Sequence, residues 1–509
     1  MTFPWLTTLI VVPALGAVLT ALVPRGLEVT AKKLALFIAL VTAVLTVIAT
    51  VAFVRNGEPV QFVEQYAWVE SFGVYWALGA DGISISLIAL TGVITPIVLT
   101  AMWREAEAER RNPKPFFALV LLLESMLIGA FAAKDVLLFY ILFEAMLVPM
   151  YFLIGLYGGP QRRYAAVKFL LYNLLGGLIM LAAVIGLYVQ AATQGRGTFL
   201  LADLVALDIP QSTQWWLFLG FMFAFAIKAP LWPFHTWLPD AAAEATPANA
   251  AYLSGVMDKV GTFGMIALAL PLFPAAARDF APAIVVLAVI SILYGALLAI
   301  GQTDMKRLIA YTSISHFGLI VLGIFALNSQ GAAGATLYMV NHGLATVALF
   351  VIIGFMIVRR GSRFVADYGG AAQPAPVLAG SLLFAGLAAL GLPGLAPFVS
   401  EFLVLVGTYS RYRLAGVLAT VGIILAALYI LLLYQRTMTG PARESTAGFP
   451  DLRRRERLIV APLVALLLAL GFFPKPLLDV IGEGVQPVLA EVDVGDPEPL
   501  VPAAEGTVP

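Results

Sequence analysis

The sequence predicts an all-α polytopic membrane protein with about fourteen transmembrane helices. Hydrophobic residues make up 61% of its 509 residues and charged residues only 12%, and the mean hydropathy is +0.94. A soluble globular chain is about half apolar and about a quarter charged. Because apolar runs recur almost without interruption from Trp5 to Phe473, we expect one membrane-embedded body and no soluble catalytic domain.

Composition also excludes several classes of function. The 30 basic and 30 acidic side chains give a formal net charge of zero, which leaves no electrostatic footprint for nucleic acid. The sequence contains no cysteine, so disulfides, thiolate metal sites, cysteine-ligated iron–sulfur clusters and c-type haem attachment are excluded. The first residues lack a basic n-region and run directly into an apolar segment, which predicts a retained first helix and not a cleaved signal.

A helix that crosses the hydrocarbon core needs roughly 20 apolar residues at about 1.5 Å per residue. Two sets of seven runs meet that requirement. The predicted spans are 5–23, 34–54, 82–103, 115–133, 135–157, 164–190, 214–238, 248–273, 280–300, 307–327, 331–358, 377–408, 412–434 and 458–473.

The basic residues predict the orientation of these spans. Lys and Arg accumulate in short cytoplasmic loops, and the loops on one side hold twenty of them against seven on the other. We therefore expect a multi-pass protein of the cell (cytoplasmic) membrane with both termini on the outer side. The three remaining basic residues, Lys168, Lys228 and Lys259, lie inside apolar spans and are the first candidates for function.

Two stretches outside the spans have their own patterns. Residues 58–80 alternate polar and aromatic side chains, which suits a short outer-face hairpin or an interfacial segment. Residues 487–509 are rich in proline and acid and are predicted to form a disordered tail.

Proline and glycine interrupt the seventh and twelfth spans, within 228–239 and 392–401. Each proline removes a backbone donor, and in a bilayer the freed groups must be satisfied by neighbouring protein or water. Interrupted helices five apart indicate paired repeats, here helices 4–8 and 9–13, which an odd spacing places in inverted orientation. The predicted units are 1–112, 113–275, 276–436, 437–486 and 487–509, namely helices 1–3 with the hairpin, the two repeats, helix 14 and the tail.

Ionisable residues inside the spans point to proton movement. A charged side chain at the bilayer centre costs roughly 2.5–3.5 kcal/mol on insertion scales, so several in one chain require partners or a wet path. Helical rise places Glu144, Lys259, His316 and His342 roughly 14–16 Å from the nearest span boundary, which is near mid-depth. A lateral proton path would need such a shared level. The proton-transfer candidates are Glu144, Lys228, Lys259, His316, His342 and Glu401.

Four further residues are possible proton-transfer groups that also have simpler roles open to them: Glu124, Lys168, His235 and Asp258. Lys168 is near a cytoplasmic helix end, where its side chain can snorkel to water. Asp258 points about 100° away from Lys259 on a helix, which favours a different contact. His235 follows the first break and can cap freed carbonyls, and Glu124 on the fourth span fits a structural or a proton-transfer role equally well.

Several segments resemble those of the antiporter-like membrane subunits of respiratory complex I and the related Mrp-type cation/proton antiporters. Glu401 stands where the L- and N-type subunits usually have lysine, so the resemblance is greatest to the M-type branch. The match spans most of the chain. Its specific segments are Phe143-Glu144-Ala-Met-Leu-Val-Pro149, the interrupted stretch 228–240 with Glu244-Ala-Thr-Pro247, residues 302–318, and Asn341-His342.

The resemblance implies a role for each main candidate. Glu144 and Lys228 would form a pair in a first half-channel, Lys259 would be the central relay, and Glu401 the terminal proton site. His316 and His342 would connect Lys259 to Glu401. Asp258, an acid immediately before the central lysine, departs from the family pattern.

The implied activity belongs to a complex and not to this chain alone. It would be a non-redox, proton-translocating subunit of NADH:quinone oxidoreductase, with neighbouring L- and N-type subunits in the lipid bilayer. FMN, iron–sulfur clusters and quinone are expected in partner subunits, and no cofactor or metal in this one.

Three other interpretations remain open from the sequence. An Mrp-type subunit exchanging sodium for protons would use similar midplane residues. A b-type haem protein could use His316 and His342 as axial ligands, although the other buried charges would then lack a purpose. A passive scaffold subunit is the third.

Overall fold

The computed structural model describes residues 3–56, 58–104, 112–444 and 446–498. It is built almost entirely of helices. Those before residue 253 are Trp5–Leu22, Glu28–Asn56, Gly82–Ala101, Pro113–Ala132, Val136–Ala145, Leu147–Tyr157, Arg162–Thr193, Leu201–Val205, Gln211–Lys228, Trp237–Glu244 and Pro247–Tyr252. Those after it are Lys259–Gly264, Leu270–Leu272, Pro274–Ile300, Met305–Phe325, Ser329–Arg360, Pro376–Ala389, Ala396–Arg411, Arg413–Met438, Arg454–Phe472 and Lys475–Val492.

Eleven helices of the described ranges are long and apolar enough to cross a membrane. A twelfth is obtained when the bent pair Arg454–Phe472 and Lys475–Val492, which meet at 73°, is counted as one span. The seventh and twelfth predicted spans are not among the eleven, and each is divided into two shorter helices. The polytopic α-helical class is confirmed, whereas the count of fourteen and the inverted repeats stay predictions.

The core of the molecule lies along three stretches. The apolar windows of Pro247–Leu272, Met305–Phe325 and Ser329–Arg360 are each 94% buried by the rest of the chain. The windows of Arg162–Thr193 and Arg413–Met438 are only 39% buried, and their exposed side chains are large and aliphatic, as suits a surface in contact with lipid. The three buried stretches carry Lys259, His316 and His342.

The stretch 58–80 forms an antiparallel hairpin of strands Gln61–Val69 and Val74–Ala80. Glu64 of the first strand accepts a hydrogen bond from the backbone N–H of Leu6 at 2.8 Å, which ties the hairpin to the first helix. Asp81 then caps the helix Gly82–Ala101 and forms an ion pair with Lys134 at 2.7 Å.

The predicted disordered tail is wrong at its start, because residues 487–492 belong to the helix Lys475–Val492. We call this helix the terminal helix. Its buried residues recur at helical spacing and include Val480, Ile481 and Val485, so it has an apolar face that packs on the rest of the chain. Beyond it, Asp496 accepts hydrogen bonds from the N–H and hydroxyl of Ser329 at 2.7 and 2.6 Å. Residues 499–509 of the predicted tail, and Arg110 and Arg111 of a predicted cytoplasmic loop, lie outside the described residues.

Candidate proton path

The first break places Lys228 in the interior. The helix Gln211–Lys228 ends at this residue, and the chain resumes as the helix Trp237–Glu244. The Trp237 indole donates to the carbonyl of Ile227 at 2.9 Å, and the N–H of Trp232 donates to the Ser291 hydroxyl at 3.1 Å. Neighbouring protein thus satisfies backbone groups at the break, while Lys228 is left only 1% exposed.

Glu144 and Lys228 are neighbours but form no ion pair within the described structure. The Nζ of Lys228 donates to the carbonyl of Phe143 at 3.4 Å and lies 4.5 Å from the centre of its ring. The Oε1 of Glu144 is buried without a hydrogen-bond partner, and its carboxylate rests against Gly177. The pair that the family resemblance implies is therefore separated here, although the charge of Glu144 still acts on Lys228.

Lys259 is held between two π-helical turns, Leu253–Met257 and Met265–Ala269. Such turns re-aim side chains and are frequent at functional sites. The Nζ of Lys259 donates to the carbonyl of Ser254 and lies 2.8 Å from Nδ1 of His342. It is also 4.9 Å from the centre of the Phe317 ring. The central lysine thus contacts the next predicted carrier directly.

The two histidines meet each other next. Their ring centres are 5.2 Å apart at an interplanar angle of 87°. The Nε2 of His342 is 3.1 Å from the hydroxyl of Thr346, and the Nε2 of His316 is 3.2 Å from the hydroxyl of Tyr429. Each ring is therefore fixed by a hydroxyl group that can donate or accept a hydrogen bond.

Glu401, the last of the main candidates along the chain, lies beside the second break. It lies on the helix Ala396–Arg411, is 4% exposed, and accepts a hydrogen bond from the hydroxyl of Tyr338 at 2.5 Å. The carboxylate rests against Gly391, whose φ of +74° turns the chain inside the break. Asn341 donates to the carbonyl of Ala396 at 2.7 Å and so anchors the start of this helix.

The remaining four candidates lie in different surroundings. Lys168 forms an ion pair with Asp240 at 2.7 Å, and Asp240 also pairs with Arg307 at 2.5 Å. This network ties helices together, so it supports a structural role for Lys168.

His235 is buried and its Nδ1 has no hydrogen-bond partner, so this nitrogen does not cap the break. Glu124 is buried next to Thr95 and Tyr252. Asp258 is also buried, neither of its carboxylate oxygens has a hydrogen-bond partner among the described residues, and its charge acts on both Lys228 and Lys259.

The sequence predictions missed Tyr338 and Tyr429. Tyr338 stands four residues before His342 on one helix, so the spacing of a helical face was a usable signal for it. Tyr429 lies in an apolar run, where nothing in the pattern distinguishes it. Both tyrosines form hydrogen bonds with residues of helices that are distant in sequence.

The structure does not fit a haem held by the two histidines. An axial ligand needs an uncommitted ring nitrogen, and both nitrogens of His342 have partners. Among the described residues no group of three or more His, Cys, Asp or Glu side chains is placed to hold a metal ion.

Comparison with known proteins shows the family of the chain. Residues 133–426, which contain every main candidate, match the family model described as NADH:quinone oxidoreductase/Mrp antiporter, TM. The chain is 51% identical to NADH-quinone oxidoreductase subunit M of Mycobacterium tuberculosis, over 98% of this chain and 96% of that one. It belongs to this family of antiporter-like membrane subunits. The family resemblance seen in the sequence is confirmed.

Two solved structures show the same fold as this family member. A chain of respiratory complex I from Thermus thermophilus matches with a TM-score of 0.87 and 32% identity, covering 96% of this chain and 99% of that chain. A chain of the Mrp complex from Dietzia sp. matches with a TM-score of 0.83 and 24% identity, covering 97% and 100%. The second similarity shows the fold alone.

Proposed function

We propose that this chain is a proton-translocating membrane subunit of NADH:quinone oxidoreductase, of the M type. The observation that carries the proposal is a row of buried groups, Lys259, His342, His316, Tyr338 and Glu401. The Nζ of Lys259 contacts His342, and the two histidine rings lie 5.2 Å apart. The His316 ring lies 5.8 Å from the ring of Tyr338, which donates to Glu401. The row runs through the three most buried stretches of the chain, where unpaired polar groups are costly. The high identity to an M-type relative supports the complex I assignment.

The geometry supports a transfer sequence. The Nζ of Lys259 lies 2.8 Å from Nδ1 of His342. When Lys259 is an ammonium, moving its proton to that nitrogen leaves a neutral amine and an imidazolium. The imidazolium can pass a proton to His316 and onward to the carboxylate of Glu401. Each step breaks one N–H bond and forms one N–H or O–H bond, and no electron moves.

The separated pair at the first break suits the driving step. When a neighbouring subunit brings negative charge close or removes it, Glu144 shifts relative to Lys228. A lysine without its carboxylate releases its proton more readily. The proton then reaches Lys259, which has already discharged toward the histidines, and release follows at the outer face.

The remaining parts of the proposal concern the surroundings. Neighbouring L- and N-type subunits would flank the chain, and FMN, iron–sulfur clusters and quinone would be bound in partner subunits. This chain would be a non-redox part of the translocase. Both termini would lie on the outer side of the cell membrane, as the distribution of Lys and Arg indicates.

The test uses complexes carrying Glu144→Gln or Lys228→Ala, reconstituted into vesicles. We expect a large loss of protons moved per NADH, or of the coupled rate, while NADH oxidation by an artificial acceptor shows full assembly. Lys475→Ala is the matched control, because its side chain is 82% exposed and pairs only with Asp479. Full pumping by an assembled Glu144→Gln and Lys228→Ala complex would refute the proposal.

The sodium/proton antiporter is the second candidate, because the matching family model covers Mrp antiporters as well. Sodium-dependent pH changes in vesicles without NADH oxidation would support it against the complex I assignment.

A further inference from the structure

Asp258 is a buried acid that the proposed row leaves without a task. Its side chain has no exposed surface, and neither carboxylate oxygen has a hydrogen-bond partner. Buried polar groups in folded proteins are nearly always paired, so an unpaired carboxylate calls for an explanation. The charge of the Asp258 carboxylate acts on both Lys228 and Lys259.

Helix packing gives the direction in which Asp258 faces. Asp258 and Gly261 are three residues apart and share one helix face, and Gly264 follows Gly261 at the same spacing. A Cβ on Gly261 would lie 2.6 Å from the N of Ala229 and 2.8 Å from the carbonyl oxygen of Phe225. A Cβ on Gly264 would lie 2.4 Å from atoms of the Phe225 ring. The face that carries Asp258 therefore packs on the end of the helix that holds Lys228.

Lys259 points elsewhere. One residue along an α-helix is a turn of about 100°, and its Nζ contacts His342 and the Ser254 carbonyl. Lys228 donates to the carbonyl of Phe143. Each lysine thus donates a hydrogen bond to a backbone carbonyl, while the carboxylate of Asp258 accepts none from the described residues.

We propose that Asp258 carries the proton from Lys228 to Lys259. This rests on the proposed function and adds a site to the row. An N–H bond of Lys228 breaks as an O–H bond forms on the carboxylate, which leaves a neutral amine and a carboxylic acid. The O–H bond then breaks as the neutral amine of Lys259 takes the proton, and the carboxylate is restored. The oxygen that accepts the proton from Lys228 is the one that donates it to Lys259.

The test is Asp258→Asn in the intact complex reconstituted into vesicles. Asparagine keeps the shape of the side chain and cannot carry the proton. Losing a proton-transfer group commonly costs at least about 100-fold in a step, so we expect the coupled rate to fall at least about tenfold. NADH oxidation by an artificial acceptor should be unchanged. Asp135→Asn is the matched control for the loss of a buried carboxylate. The Oδ1 of Asp135 caps a helix, as an asparagine oxygen can, and only the hydrogen bond from the N–H of Tyr75 to Oδ2 is lost.

Normal coupled rates and pumping in Asp258→Asn would overturn the inference. If that variant fails to assemble, Asp258→Glu and Asp258→Gln replace it, and the inference requires that the first conducts and the second does not. Equal pumping by both would overturn it. Lys228→Ala distinguishes failure of the Asp258 inference from failure of the proposed function. Defective pumping by Lys228→Ala with normal pumping by Asp258→Asn refutes only the role of Asp258. Normal pumping by Lys228→Ala refutes the proposed function.

Discussion

The Nζ of Lys259 lies 2.8 Å from Nδ1 of His342, and Nε2 of the same ring lies 3.1 Å from the Thr346 hydroxyl. At that separation only one proton fits between the two nitrogens, so the contact is either ammonium facing imidazole or amine facing an N–H. Both states keep the same heavy-atom positions. Transfer between them therefore needs little rearrangement.

His342→Gln should stop this transfer without emptying the site. The amide can accept from Lys259 and donate to Thr346, but it cannot take up a proton at neutral pH. We expect the coupled rate of NADH:quinone reduction to fall at least about tenfold with normal assembly. A wild-type rate would mean that protons bypass His342.

Tyr338→Phe should release the carboxylate of Glu401. The substitution removes only the hydroxyl that donates at 2.5 Å, and hydrogen bonds to charged groups contribute about 1.5–3 kcal/mol. We expect the coupled rate to fall several-fold. A wild-type coupled rate in Tyr338→Phe would show that this hydroxyl is not needed.

Gly391→Ala should displace Glu401 from the other side. A Cβ at this position would overlap the Glu401 carboxylate, in addition to the strain of a positive φ, which costs about 1–2 kcal/mol. Gly361→Ala is the control, because its φ is +72° and no atom lies within 4 Å of its Cβ position. Both variants should lose similar thermal stability, and only Gly391→Ala should lose pumping. Equal pumping by the two variants would show that the contact between Gly391 and the Glu401 carboxylate is not needed for pumping.

Gly177→Ala makes the corresponding test at the first break. Its Cβ would overlap the carboxylate of Glu144, so Glu144 must move relative to Lys228. Gly380→Ala, on another helix with open space around its Cβ position, should be neutral or stabilise by up to about 1 kcal/mol. Protons moved per NADH should fall for Gly177→Ala alone. A normal value in both would show that the position of Glu144 does not control the first half of the path.

Sequence was sufficient for the features that single residue types impose. Buried charges and clustered prolines identified the two breaks and the members of the row, because both are costly in a bilayer. Sequence was not sufficient for contacts across helices. The Tyr338 hydroxyl on Glu401, the glycine seats of the two carboxylates and the separation of Glu144 from Lys228 depend on side-chain packing that no local pattern encodes.

The terminal helix shows a different limit. Proline and acidic residues favoured disorder from residue 487, but the apolar face through Val480 and Val485 has a partner in the folded chain. Composition averages over a helix face, so burial of one side overrode it. The ion pairs of Asp240 were not predicted either, because its partners Lys168 and Arg307 come from two other helices.

The backbones of Gly82 and Gly484 touch, with the N of Gly484 lying 3.2 Å from where a Cβ of Gly82 would stand. Residues from near opposite ends of the chain thus meet at the junction between the hairpin and the third long helix. During synthesis the segment of Gly82 enters the membrane before the segment of Gly484 has been made, so it must wait there without this contact. Insertion of the individual helices and formation of this contact are therefore separate events, and the second depends on the terminal helix.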